Sequence, residues 1–208
     1  MGSGDVYKRQ SLTPNPSLRR ELRTRRRALP PEYRIDAALA AAAALAASPA
    51  FRPAGRIAAF VAADAELDPG PFIAVARSRR RTVYLPVLDP RPARGLSFVR
   101  TAAGDPLAPN RYGIPEPTSG PPIDPRFLDL VLVPLVGFDG AGHRLGMGAG
   151  YYDRTFAFRR ARRHWRGPRL IGVAYDCQEV DAIDDRAWDV PLDGVVTESG
   201  VRMFERRW

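Results

Sequence analysis

The segment Leu128–Phe138, LDLVLVPLVGF, has one charge near its start and then an apolar run with no alternation. A strand with one wet face alternates in polarity, so this run predicts a parallel strand covered on both faces. Such a strand needs layers on either side of its sheet, which points to an α/β domain. Directly downstream lies RLGMGAGYYDR, Arg144–Arg154, with Gly146, Gly148 and Gly150 at alternate positions. Apolar strand, glycine loop and then helix is the expected order.

The rest of the chain fits the same class. Ser17–Leu29 reads as a basic helix with Ser17 as N-cap, ended by Pro30-Pro31. Pro31–Ala47 is a second helix, its alanines giving high propensity and close approach to a sheet. Strands are expected at Arg56–Ala62, Thr82–Leu88, Leu96–Arg100 and Arg169–Tyr175, with helices at Pro69–Arg80 and from Tyr151 to His164. DGVVTES and VRMFE close the chain as short strands. Gly104–Pro125, dense in proline and glycine and containing NRYGIPEP, reads as a loop long enough to be functional. Strands alternating with helices argue for one α/β domain with a mostly parallel sheet.

The 208 residues suit one domain with a full-sized core. Met1–Gln10, MGSGDVYKRQ, resembles a translated sequencing-library adapter and is read as non-native, leaving residues 11–208 as the domain. The net charge of +9 favours anionic partners such as nucleotides, polyglutamate chains or nucleic acid, although a basic, arginine-rich coding bias explains it equally well. Cys177 is the lone cysteine, so no internal disulfide or cysteine metal cluster is available, which fits a reducing cytoplasm. The arginines before the alanine run resemble an export signal. However, Glu32, Arg34 and Asp36 interrupt it, and the run falls short of the ~20 residues a membrane span needs.

The glycine loop suits an anion. Glycines admit left-handed backbone and let a phosphate approach with no Cβ in the way. The helix N-terminus adds free N–H groups, and Arg144 adds a forked cation. Asp153, in the first helical turn, can hold Mg²⁺ bound to the same phosphates. The spacing is neither a Walker A loop nor a dinucleotide fingerprint.

LVPLVGFDGAGHRLGMGAGYYDR, Leu132–Arg154, resembles the signature of the 5-formyltetrahydrofolate cyclo-ligase family. SLRRELRTRRRAL, FVAADAELD, RYGIPEP and WDVPLDGVVTE resemble further segments of that family in the same order. The resemblance implies a single three-layer α/β/α domain with a Rossmann-like sheet. It also implies ATP- and Mg²⁺-dependent cyclisation of 5-formyltetrahydrofolate to 5,10-methenyltetrahydrofolate, releasing ADP and phosphate. ATP would be held by Arg19 and by Arg144, Leu145, Gly146, Met147, Gly148, Ala149, Gly150, Tyr151 and Tyr152. Reduced folate would be held by Val61, Glu66, Tyr112, Gly148, Gly150 and Tyr152, and Mg²⁺ by Asp153 and Asp189. Arg144, Tyr151 and Tyr152 are the expected catalytic side chains. The implied enzyme is a cytoplasmic monomer acting on small molecules, with no nucleic-acid or membrane partner.

Asn15 stands where the family often has lysine, and Met147 and Ala149 where some members carry a basic residue. Asn15 keeps open a same-fold paralogue that binds ATP but has lost or changed its activity. The arginines of 19–27 keep open a nucleic-acid-binding reading, although no recognition motif accompanies them.

Overall fold

The computed structural model describes residues 16–89, 95–161 and 167–205. The readings of Met1–Gln10, Asn15 and the helix end at His164 lie outside those residues. The chain lays down α1 (Pro16–Arg27), α2 (Pro31–Ala47), β1 (Arg56–Ala58), α3 (Gly70–Ser78), β2 (Thr82–Leu88) and β3 (Leu96–Arg100). Three short strands follow: β4 (Leu107–Pro109), β5 (Pro115–Pro117) and β6 (Pro122–Ile123). Then come β7 (Leu130–Pro134), β8 (Gly137–Phe138), β9 (Arg144–Leu145), α4 (Tyr151–Thr155), β10 (Arg169–Val173), β11 (Gly194–Thr197) and β12 (Gly200–Met203).

The main sheet has the order β12-β11-β10-β7-β1-β2-β3-β6. Its centre, from β11 to β2, is parallel, and the flanking strands are antiparallel. β7 is the buried strand that the apolar run predicts. Leu130 and Leu132 pack with α2 and α3, while Val131 and Val133 pack with Phe98, Phe156 and Leu170 on the other face. Ala37, Ala38, Ala41, Ala42, Leu45 and Ala46 form the buried stripe of α2, where small side chains bring helix and sheet close. Among the described residues no helix is long and apolar enough to cross a membrane.

Ser17, expected as N-cap, lies inside α1, and the strand expected over Arg56–Ala62 stops at Ala58; three larger departures concern the segments around the site. First, Leu128–Phe138 is two strands. β8 leaves the sheet and pairs with β9, so a hairpin separates the buried strand from the glycine loop. Pro134, with no N–H to donate, ends the ladder. Gly137 lets α1 come close, since a Cβ there would lie 2.5 Å from a Leu22 methyl. Second, Gly104–Pro125 holds the β4–β5 hairpin and the edge strand β6. Third, the expected long helix after Gly150 is the five-residue α4 followed by a 3-10 turn, Ala157–Ala161. The Thr155 hydroxyl donates back to the Tyr151 carbonyl and accepts from Leu96 N on β3, competing with helix continuation.

In the sheet, β1 leads to β2 on one side, and the chain then returns to lay β7, β10 and β11 on the other. The order therefore reverses between β1 and β7, and open α/β sheets bind ligands at the carboxyl ends of strands at such a switch point.

Candidate active site

Two segments meet helix α1 beside the switch point: one leaves the carboxyl end of β1, and the other follows β9, beyond the hairpin after β7. The first, residues 59–69, carries Val61 and Glu66. Val61 packs against the core, and Glu66 is largely buried. Glu66 closes its own turn: its N–H donates to the Ala63 carbonyl at 2.9 Å, and its carboxylate accepts from Ala63 N at 3.1 Å. Burial pushes the Glu66 carboxyl above its ordinary value, against the Ala63 hydrogen bond and the charge of Arg26.

The second segment is the glycine loop. A Cβ built on Gly146 or Gly148 would meet no atom within 4 Å, so the loop presents an open backbone surface. Gly148 (φ 101°) and Gly150 (φ 64°) hold left-handed backbone that glycine adopts without a Cβ clash. Met147 is 56% exposed, whereas Leu145 turns inward against Leu22 and Val136. Ala149 is exposed beside the glycines. Arg19 of α1 reaches this loop, its Nε donating to the Gly146 carbonyl at 2.8 Å.

Arg144 does not point to the open face. Its side chain is only 6% exposed, pairs with the Asp153 carboxylate and donates to the Val190 carbonyl. Val190 N donates to the same Asp153 oxygen at 3.1 Å. Asp153 thereby joins α4 to the loop that carries Asp189. The Asp189 carboxylate accepts from Arg186 N at 3.2 Å. Burial and then the negative charge of Asp153 push Asp189 above its ordinary value. Asp153, tied to the Asp189 loop through Val190 N, and Asp189 itself offer the hard carboxylate oxygens that Mg²⁺ prefers. Among the described residues no cluster of three or more His, Cys, Asp or Glu could hold a metal. This donor set therefore suits an ion completed by substrate phosphates rather than a closed protein cage.

The aromatic side chains border the same crevice. Tyr152 is held up by burial and by the nearby charge of Glu66, so its phenol stays protonated, and it stacks on Phe156. Helix α1 joins the two segments, through Arg19 on the Gly146 carbonyl and Arg26 on the Asp64 carbonyl. Tyr112, 57% exposed in the proline loop, lies with its hydroxyl 3.3 Å from that of Tyr151. Arg111 hydrogen-bonds to the Tyr151 hydroxyl, and the Arg154 guanidinium lies 5.1 Å from the Tyr151 ring centre. The hydrogen bonds from Tyr112 and Arg111 pull the Tyr151 phenol below its ordinary value.

The sequence reading passes over three participants. Asp64 takes hydrogen bonds from Arg23, Arg26 and Arg27. Asp139 accepts from Ala141 N, His143 N, the His143 ring and Ile183 N, tying the β8–β9 turn to the loop of Asp189. Arg111 fixes Tyr151. The one available signal is spacing: Arg19, Leu22 and Arg26 share a helix face, which places Arg26 inward with Leu22.

Burial alone pushes Asp64 up, but the guanidiniums of Arg23, Arg27 and Arg26 outweigh it and hold the carboxyl at about 2, below the ordinary 3.8. A carboxyl lowered by folding stabilises the protein above its unfolded value and loses that contribution as pH falls through the folded one. Asp64→Asn is therefore expected to lower the melting temperature at neutral pH. Its melting curve should converge with the parent's between about pH 4 and 2, as thermal melts across that range would show.

An open, mostly parallel sheet with helices packed on it and a switch point between β1 and β7 is the architecture of an α/β enzyme. The model of the 5-formyltetrahydrofolate cyclo-ligase family matches residues 13–198. A 5-formyltetrahydrofolate cyclo-ligase of Escherichia coli (strain K12) is 38% identical over 188 residues, spanning 86% of this chain and 98% of that one. The solution structure of the Aquifex aeolicus 5,10-methenyltetrahydrofolate synthetase superposes with a TM-score of 0.77 at 29% identity, covering 92% of this chain and 93% of its own. A Mycoplasma pneumoniae enzyme of the same description shares the fold, with a TM-score of 0.68 at 24% identity over 88% of this chain and 97% of its own. The chain belongs to the 5-formyltetrahydrofolate cyclo-ligase family.

Proposed function

We propose that the crevice between β1 and β7 carries out the ATP- and Mg²⁺-dependent cyclisation of 5-formyltetrahydrofolate to 5,10-methenyltetrahydrofolate. One observation carries the assignment of residues. On one helix, Arg26 donates to the Asp64 and Leu135 carbonyls and Arg19 donates to the Gly146 carbonyl, so α1 ties the Glu66 segment to the glycine segment. In this reading a nucleotide on one segment and a pterin on the other come together.

A formamide oxygen is a poor leaving group. In the proposed sequence the formyl oxygen takes the γ-phosphoryl group and ADP leaves. N10 then closes onto the activated carbon, losing its proton, and phosphate departs. The protein's share is positioning and charge compensation. The backbone of Gly146–Gly150 receives the phosphates, and Arg19 braces it from α1. Asp153 and Asp189 would hold Mg²⁺, which supplies charge neutralisation to the phosphate oxygens when bound. Arg144 orients Asp153. Glu66 accepts from the donor edge of the pterin beside the apolar Val61, and Tyr112 and Tyr151 wall the mouth. The protonated Tyr152 phenol can donate to the oxygen that gains charge.

This reading fits the arginine-rich helix better than nucleic-acid binding does, because Arg19, Arg23 and Arg26 are turned inward onto the two segments. The single Cys177 fits a cytoplasmic protein.

The assay is direct: protein, 5-formyltetrahydrofolate, Mg²⁺ and ATP, with methenyl absorbance as readout. Product that requires both Mg²⁺ and ATP supports the proposal, while a folded sample giving none refutes it. Nucleotide binding without cyclisation would point to the paralogue reading. Glu66→Gln is expected to raise the folate KM about tenfold and to leave the ATP KM within about twofold, because an amide cannot replace a carboxylate as a double acceptor.

A further inference from the structure

We propose that the Arg26–Asp64 ion pair is a positioning device for the substrate: it sets the backbone that aims Glu66 into the crevice. The inference rests on the folate reading of Glu66 given above.

Arg26 is 0% exposed, the largest fully buried side chain among the described residues. Its donors span the switch point. Nε donates to the Asp64 carbonyl at 2.9 Å, Nη2 to the Asp64 carboxylate at 2.8 Å and Nη1 to the Leu135 carbonyl at 3.2 Å. Nη1 also lies 3.9 Å from the Glu66 carboxylate. One guanidinium thus fastens the segment after β1 to the end of β7. A buried ion pair is a weak source of stability, since well-packed apolar residues often do as well. Its value here lies in what it fixes.

What it fixes is strained. Asp64 (φ 50°) and Ala65 (φ 58°) are consecutive non-glycine residues in left-handed backbone. Such conformations persist where the surroundings over-determine them. Asp64 is held at its carboxylate by Arg23, Arg26 and Arg27 and at its carbonyl by Arg26. Glu66 is the next residue after Ala65, and its direction follows from that turn. The turn from Ala63 to Glu66 is closed by its own hydrogen bonds; from outside, the arginines hold its apex at Asp64, and the Tyr175 hydroxyl donates to the Glu66 carbonyl at 3.5 Å. The anchor comes from α1, whose Arg19, two turns earlier on the same face, touches the glycine loop.

The test compares the parent with Asp64→Asn, Arg26→Met and their double variant. Arg25→Gln is the control, because among the described residues Arg25 pairs with the exposed Glu21 alone and its loss removes the same positive charge from α1 as loss of Arg26. Two readouts are needed: equilibrium binding of 5-formyltetrahydrofolate without nucleotide, and the KM of each substrate with kcat. Each single variant is expected to weaken folate binding about tenfold, leave the ATP KM within about twofold and keep a cooperative melt. The double variant should be no worse than the worse single one, as for two members of one device. Unchanged folate affinity in folded variants would overturn the assignment. So would parallel losses for both substrates, or a lost melting transition, which would make the cluster structural only. If the parent binds the reduced folate but does not cyclise it, the proposed function fails, and the binding comparison still decides the role of Arg26. If the parent cyclises it and the variants bind as the parent does, only the positioning role fails.

Discussion

Replacing Gly146 by alanine is expected to lower kcat/KM for ATP about a hundredfold while moving the melting temperature by no more than about 2 °C. The two halves of this expectation have separate causes. The backbone at Gly146 is not left-handed, and a Cβ there would meet no protein atom within 4 Å. The methyl group therefore introduces neither strain nor a clash in the free protein. It does occupy the surface onto which the phosphates must come, where a close backbone approach requires glycine. Gly148 is a less clean probe because its φ of 101° strains any alanine placed there. Steady-state kinetics and a thermal melt on the same preparation check both halves. An unchanged kcat/KM would show that no ligand group comes near Gly146.

Asp189→Asn should cost about a hundredfold or more in activity, raise the Mg²⁺ concentration needed for turnover, and increase the melting temperature. Burial and the adjacent Asp153 charge lift Asp189 above its ordinary value. A carboxyl raised by folding opposes the fold once pH exceeds its unfolded value, and the penalty is complete above its folded value. The amide removes it and keeps an oxygen for Arg186 N. Asp153→Asn should lose activity as well but move stability the other way. It strips the partner from Arg144, whose side chain is 6% exposed, and breaking a buried pair costs about 3–5 kcal/mol. Opposite stability shifts from neighbouring carboxylates, with activity lost in both, would mark Asp189 as kept for chemistry and Asp153 as serving both chemistry and structure. Melts and Mg²⁺ titrations of the two variants supply the comparison.

Hydrophobic patterning made much of the fold legible. The unbroken run before Gly137 predicts a doubly covered strand, and β7 is one, while the alanine run predicts a helix that sits close on a sheet, as α2 does. The glycine spacing marks an open loop, and the loop lies at the switch point. Side-chain direction was less accessible. Arg144 reads as a phosphate cation because arginine beside glycines suits an anion, yet the fold folds it back onto Asp153 nine residues later. Arg26 is one arginine in a run of them, and only its helical register with Leu22 separates a buried charge from a wet one. Asp64 and Ala65 carry no residue-type signal for left-handed backbone as strong as glycine's, so their strain shows only once the arginines around them are placed. The length of α4 depends on a bond between Thr155 and a strand far away in sequence, which local propensity does not encode.

The central claim, that the Gly146–Gly150 backbone grips the terminal phosphates of a metal-bound nucleotide, is tested most directly by amide hydrogen exchange with a non-hydrolysable ATP analogue and Mg²⁺. The account predicts slowed exchange across residues 146–150 that requires nucleotide and Mg²⁺ together and disappears in Asp153→Asn. Unchanged exchange in that segment, in a sample that cyclises 5-formyltetrahydrofolate and is saturated with the analogue, would contradict it.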